Sequence, residues 1–187
     1  MLRRTILVLA AGIAAQSCAH DTAQIDETRK TALQLASRLQ GALQEEMKKG
    51  PENAVGVCKD LSPKFASELS RSTGWRISRV SLKVRNPLLG TADGWETAAL
   101  AEFDKRAAAG EEATKLEKSE IVTEGGTQYL RYIKALPVQP TCLSCHGGSA
   151  DIPSAVKATL ASEYPHDRAT GYAAGQVRGG LTVKRPL

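Results

Sequence analysis

The sequence predicts a single α+β domain in which helices come first and a mostly antiparallel sheet, interrupted by one helix, follows. Three observations carry that expectation. Apolar residues recur at helical spacing through the first third of the chain. From Trp75 to Val84, and on both sides of Gly125-Gly126, they alternate with polar residues as in half-buried strands. No internal repeat or low-complexity linker divides what lies between.

Met1-Leu2-Arg3-Arg4 followed by the apolar run Thr5 to Ala15 has the basic start and short apolar core of a secretory signal, too short to span a bilayer. Residues 1–19 are read as that signal. Cleavage would follow Ser17 or Ala19, since Ala15-Gln16-Ser17 and Ser17-Cys18-Ala19 both place small residues at the required spacing. Cutting before Cys18 would leave an N-terminal cysteine open to lipidation, so the expected product is periplasmic, either soluble or anchored through Cys18. Loss of Arg3 and Arg4 lowers the formal charge from +5 to +3. Basic residues are scattered, without a run of five and with few aromatics, which argues against nucleic-acid binding. No later segment is apolar enough to span a membrane.

Residues 20–187 form the expected domain. Ile25, Leu33, Leu35, Leu39, Leu43 and Met47 give an amphipathic helix over Asp21 to Lys49, ended by Gly50-Pro51. Pro51 suits the first turn of a short second helix with Ala54, Val55 and Cys58 inward, and Ser62-Pro63 reads as the N-cap and N1 of a third, closed by Gly74. Ile77, Val80, Leu82 and Val84 mark a strand. Arg85 to Gly94 reads as a loop, and Trp95 to Ala109 as a helix with Ala99, Leu100 and Phe103 inward. Lys115 to Glu124 and Thr127 to Leu136 flank Gly125-Gly126 as a hairpin whose partners should include the strand from Trp75. Ser154 to Ser162 is a short helix, Pro165 to Gly180 a glycine-rich loop, and Leu181-Thr182-Val183 a closing strand.

The motif that carries chemistry is Cys142-Leu143-Ser144-Cys145-His146-Gly147. C-x-x-C-H is the pattern at which two thiols add to the vinyl groups of a porphyrin and the next imidazole comes under the iron. Half a zinc site is the competing reading, but no second C-x-x-C or H-x(3–5)-H supplies the other ligands. A thioredoxin-type redox pair needs a βαβ context that Pro140 and Gly147-Gly148 do not suggest. The expected cofactor is therefore one haem c per chain, covalently held by Cys142 and Cys145, with His146 on the iron.

The iron's other side decides the function. His20 belongs to the frayed start, leaving Met47, Cys58, His166 or an open position. Each residue has an ordinary alternative: Met47 in the helical stripe, Cys58 in the core or bonded to Cys18, His166 exposed in a turn. A sulfur at the end of a short helix faces the negative pole of its dipole and stays a thiol unless bound iron holds it as thiolate. A Cys58 thiolate would favour ferric iron and a low potential.

Several pieces together resemble a family of exported c-haem domains: Val57-Cys58, Gly74-Trp75, Arg79-Val80-Ser81, Arg85-Asn86-Pro87, Trp95-Glu96, the C-x-x-C-H-G stretch, Tyr164-Pro165-x-Asp167-x-Ala169-Thr170-Gly171-Tyr172 and Arg178-Gly179-Gly180. That family includes a cyanobacterial haem protein associated with photosystem II and extracytoplasmic sensor domains of signalling proteins. The resemblance spans about residues 30 to 185. It implies a PAS-like antiparallel sheet with N-terminal and flanking helices, and a haem ligated by His146 and Cys58. The chain departs from the family pattern at Leu88-Leu89-Gly90, where a more polar segment is expected. Arg79 and Arg85 are candidates for holding the propionates, since guanidinium forks match carboxylates.

The expected function is redox or small-ligand sensing, with a gas as one candidate input, or low-potential electron transfer. Either needs a redox or signalling partner that the sequence does not name. The alternative is a peroxidase-like haem enzyme with an open distal site, for which only His166 offers an acid or base. A non-enzymatic role is the primary expectation.

Overall fold

The computed structural model describes residues 11–187, with side chains from Thr22 onward. Part of the expected signal segment, and the side chains of Cys18 and His20, lie outside the described residues. A four-stranded antiparallel sheet, in the order β1-β4-β3-β2, is covered by helices on both faces. This is the expected α+β class.

Helix α1 runs Ala11–Met47. Its buried stripe is Thr28, Ala32 and Leu35, continued by half-buried Leu39, whereas Leu33, expected inward, is 44% exposed. Counting only large apolar residues misplaced the phase; the inner face at steps of three and four is set by small and hydroxyl side chains that let α1 lie close to the sheet. Arg29 Nη2 is 2.6 Å from Glu117 Oε1, and Tyr132 donates to Glu117 Oε2 at 2.8 Å, tying α1 to β2 and β3.

After the turns at Pro51–Ala54 the chain is helical without a break from Val55 to Thr73, passing through a π-helical turn, Val57–Leu61, into α2, Ser62–Thr73. Ser62 is therefore not an N-cap; the preceding residue is already helical. Phe65 and Leu69 of α2 pack with α1 on Ile77, Leu181 and Val183.

Strand β1, Arg76–Val80, is shorter than the run that predicted it, and Asn86 caps a single helical turn α3, Pro87–Gly90, where a loop was expected. Helix α4, Gly94–Ala108, opens on a capping box in which Asp93 accepts from Glu96 N and Glu96 accepts from Asp93 N. Ala99, Leu100 and Phe103 bury its inner face against Val80, Ile133 and Ala135, the opposite side of the sheet from α1 and α2.

The hairpin of β2, Glu117–Glu124, and β3, Thr127–Pro137, turns at Gly125 and Gly126 with φ of 58° and 82°. Consecutive positive φ values suit a two-residue hairpin turn and glycine adopts them without steric cost. The hairpin does not pair with β1. Strand β4, Val177–Pro186, lies between them, with Val80 opposite Gly180 and Ala135 opposite Gly180 on the other side. Gly179 and Gly180, expected in a loop, are thus strand residues. A Cβ at Gly180 would meet Ile133 Cγ1 at 2.6 Å, and one at Gly179 would meet the Val80 carbonyl at 2.3 Å. They mark close approach inside a sheet, the other meaning glycine has in a strand.

Helix α5, Leu143–His146, and α6, Ser154–Glu163, complete the fold. Val156 and Leu160 of α6 pack with Val55 and Tyr164, and Cys145 rests against this small cluster. Lys59 of the π-helical turn pairs with Glu163, and Val55 just before the turn packs on α6.

Candidate functional site

The C-x-x-C-H stretch leaves β3 as a 3-10 turn, Pro140–Cys142, and closes into the single turn α5. A following loop holds it from behind: Gly171 N donates to Gly147 O at 2.8 Å and Tyr172 N to His146 O at 3.0 Å. Asp167 organises that loop. Its Oδ1 accepts from Ala169 N at 2.7 Å, and its Oδ2 accepts from Arg85 Nε at 3.0 Å. Arg85 Nη2 in turn donates to the Cys145 carbonyl at 2.6 Å. Arg85 and Asp167, both nearly inaccessible, thus brace the motif and the loop as one piece.

The purpose of that bracing is legible at His146, which is 8% exposed. Its Nδ1 lies 2.7 Å from the Ala169 carbonyl, so Nδ1 carries the proton and donates, leaving Nε2 unprotonated and met only by Arg178 Nε at 3.4 Å. Burial, then the charges of Arg178 and Arg85, hold the imidazole well below its ordinary pKa, and it is neutral at physiological pH. A neutral, oriented ring with one free nitrogen is a prepared metal ligand.

His146 faces a cavity of about 290 Å³ whose lining also includes Cys58, Arg79, Arg85, Tyr164 and Arg178. Four of the six residues singled out in the sequence are therefore brought to one cavity from four separate segments. Cys142 and Cys145 are outside its lining but close by: the charges of Cys58 and Cys142 both act on Cys145, whose thiol burial pushes up to about 11. Cys58, Cys142 and Cys145 are all free thiols. Met47 and His166, the other ligand candidates, do not line the cavity, and His166 is exposed. Among the described residues no three His, Cys, Asp or Glu side chains gather as a bare-ion site.

Cys58 is not where the helical reading put it. It sits in the π-helical turn near the start of the run Val55–Thr73, and so faces the positive end of the following helix rather than the negative end of a preceding one. The extra residue of a π turn rotates side chains off the ordinary helical phase, a distortion frequent at functional sites. Nothing in the local spacing announces it.

The arginines divide. Arg85 has both ends of its fork engaged by Asp167 and the Cys145 carbonyl. Arg79 Nη1 reaches only the Ser62 hydroxyl, at 3.1 Å. Arg178, to which the sequence assigned no role, lies against the His146 ring, with Nε 3.2 Å from Nδ1 and 3.4 Å from Nε2, and is held by Ser81 Oγ at 2.7 Å and Lys83 O at 3.2 Å. Burial brings it down to about 10. Neither Arg79 nor Arg178 has a carboxylate within ion-pair distance among the described residues. A half-buried cavity lined by Arg79, which has no ion-pair partner among the described residues, an unprotonated imidazole nitrogen and a thiol fits an anionic metalloporphyrin, whose ring nitrogens would complete the coordination.

A larger cleft of about 810 Å³ opens on the α4 side of the sheet and shares Ser81, Arg178 and Gly179 with this cavity. It holds neither His146 nor any cysteine. The smaller cavity is therefore the one with metal-ligand chemistry.

Compared with known proteins, residues 15–186 match the model of the family described as Tll0287-like. Among solved structures, the chain is similar to the crystal structure of the cyanobacterial heme-protein Tll0287, at 26% identity and a TM-score of 0.67 over 87% of this chain and 94% of that one. No curated protein matches it. Among the described residues no helix is long and apolar enough to cross a membrane.

Proposed function

The chain belongs to the Tll0287-like family, and from that premise we propose that it is an exported, periplasmic haem protein working in redox or small-ligand sensing or in low-potential electron transfer. One haem would be attached through Cys142 and Cys145 and held by His146 and Cys58. The observation that carries this reading is the convergence of Cys58 and a His146 whose Nε2 is unprotonated on one cavity. When bound, the haem supplies a one-electron ferric/ferrous couple.

The protein's own residues do the rest. His146 is kept neutral and aimed by Ala169, whose own position follows from Asp167 and Arg85. Arg79 would offer positive charge to a propionate, Arg178 lies against the His146 ring, and Arg85 acts as a positioning residue for the motif. Cys58, on a turn tied to α6 by the Lys59–Glu163 pair, would hold the haem iron from the other side, a sulfur ligand that would favour the ferric state. The enzymatic alternative needs an acid or base beside an open iron, and His166 is exposed outside the cavity.

The test is the optical and EPR spectrum of protein matured in a host that attaches haem c. The pigment should survive acid-acetone extraction, the ferric spectrum should be low-spin with thiolate character, and Cys58→Ala should convert it to high-spin. Extractable pigment, or an unchanged spectrum in the variant, would overturn the assignment. Addition of CO or NO separates the two roles: an electron carrier keeps its spectrum, and a sensor with a displaceable Cys58 changes it.

A further inference from the structure

We propose that the cleft on the α4 side of Arg178 is a second binding site, for a small organic monoanion with an apolar body, and that its occupancy is passed to the iron through the contact of Arg178 with His146. The second half rests on the haem reading; the first does not.

The cleft is large enough for a small organic molecule, at about 810 Å³, and its lining includes apolar side chains, Leu82 and Ala107 among them. Its charges do not cancel. Of the acidic residues in the lining, Glu111 is paired with Arg106 at 2.6 Å and Glu112 with Lys115 at 3.0 Å. That leaves Asp104 against two cations, Lys83 and Arg178, none of the three having an ion-pair partner among the described residues. The site thus carries one uncompensated positive charge, which a monoanion neutralises.

The two cations are also placed together. Lys83 Nζ lies 4.8 Å and Arg178 Cζ 5.6 Å from the centroid of the same Tyr172 ring. Lys83 makes one long bond, 3.4 Å to the Thr170 carbonyl. Arg178 engages His146 through Nε and Ser81 and Lys83 through Nη1, and among the described residues no partner is present at Nη2. A carboxylate accepting from Arg178 Nη2 and Lys83 Nζ would leave its hydrocarbon to the apolar side chains of the cleft. Such an anion offsets the cation beside His146. Ferric iron gains relative to ferrous, and the potential falls.

The probe is hexanoate, titrated into the full-length haem-loaded protein by calorimetry and by potentiometry, with hexanol and inorganic phosphate as comparators. Hexanoate should bind saturably at one site per chain and lower the midpoint potential, while hexanol, lacking the charge, and phosphate, lacking the tail, bind at least about tenfold more weakly. Lys83→Gln should weaken hexanoate about tenfold without altering the haem spectrum, and Arg178→Gln should weaken it similarly and remove the potential shift. The proposal is overturned by an absence of saturable binding, by binding that survives both variants, or by binding that leaves the potential unmoved. A high-spin change on adding hexanoate would mean that the carboxylate reaches the iron instead, and would also overturn it. Haem content measured as the alkaline pyridine complex keeps the two readings apart: Lys83-dependent binding in material without covalent haem would sink the haem assignment and leave the site standing.

Discussion

Two arginines on neighbouring strands, one buried and one half-buried, show what a charge is for. Arg131, 3% exposed on β3, is enclosed by Asp93 at 2.7 Å, Glu96 at 3.2 Å and Glu124 at 3.1 Å, with its guanidinium 4.8 Å from the Trp95 ring. Glu96 also accepts from Thr182 at 2.8 Å, so among that network's buried side-chain atoms only Arg131 Nε is left without a partner. Arg178, on neighbouring β4, is held by a hydroxyl, a carbonyl and an imidazole, with no carboxylate near it. The first arrangement is closed: every charge is answered inside the fold, and removing one member strands the others. The second is open. A cation kept half-buried without an anion is stable only where solvent or a ligand can reach it, and it sits where two cavities meet. Pairing, more than burial, separates the structural arginine from the functional one.

Four substitutions test that contrast. Arg131→Met leaves Glu96 buried and unpaired and should cost about 3–5 kcal/mol, read as a fall in the urea midpoint; a cost no larger than that of Arg178→Met would erase the distinction. Asp167→Ala unfastens Arg85 and Ala169 together and should cost about 2–3 kcal/mol. It should also broaden the spectral signature of the iron, because the carbonyl that orients His146 is no longer held; an unbroadened spectrum would show that the loop keeps its shape alone.

Arg29→Ala should cost about 1 kcal/mol after allowance for solvent screening, and its effect should depend on pH. The hydrogen bond from Arg29, ahead of that from Tyr132, holds the Glu117 carboxyl below its ordinary value. A depressed carboxylate contributes stability that is present above its unfolded value, about 4.3, and lost as pH falls through the folded one. The gap between wild type and variant should therefore be constant near neutrality and close below about pH 4. A gap unchanged at low pH would mean that Arg29 acts by packing alone. The smallest effect belongs to Arg178→Met, about 0–1 kcal/mol in haem-free protein, since no carboxylate is stranded; a loss comparable to Arg131→Met would reveal a partner within the fold.

Features with a local cause could be read directly. The hairpin follows from two adjacent glycines, and α4 from the period of Ala99, Leu100 and Phe103. What escaped reading depends on contacts between distant segments. Leu33 is apolar yet exposed because α1 needs small residues against the sheet, and Gly179 and Gly180 look like loop residues because their reason is the backbone and side chains of β1 and β3. The Leu88-Leu89 departure becomes a capped turn at the rim of the cavity, with Leu88 94% exposed.

By itself the sequence determined the fold class, the order of most elements and the residues of the C-x-x-C-H motif, since each depends on neighbours a few positions apart. Only the tertiary structure decided which sulfur and which arginines share a cavity with His146. Val57–Leu61, Arg79, Arg85 and Arg178 come from four stretches of chain, and their meeting is a consequence of sheet order and a π turn rather than of spacing. The physical reason is range: backbone conformation and motif chemistry act over a few residues, whereas burial, charge pairing and ligand geometry are settled wherever the folded chain brings remote groups within a few ångströms.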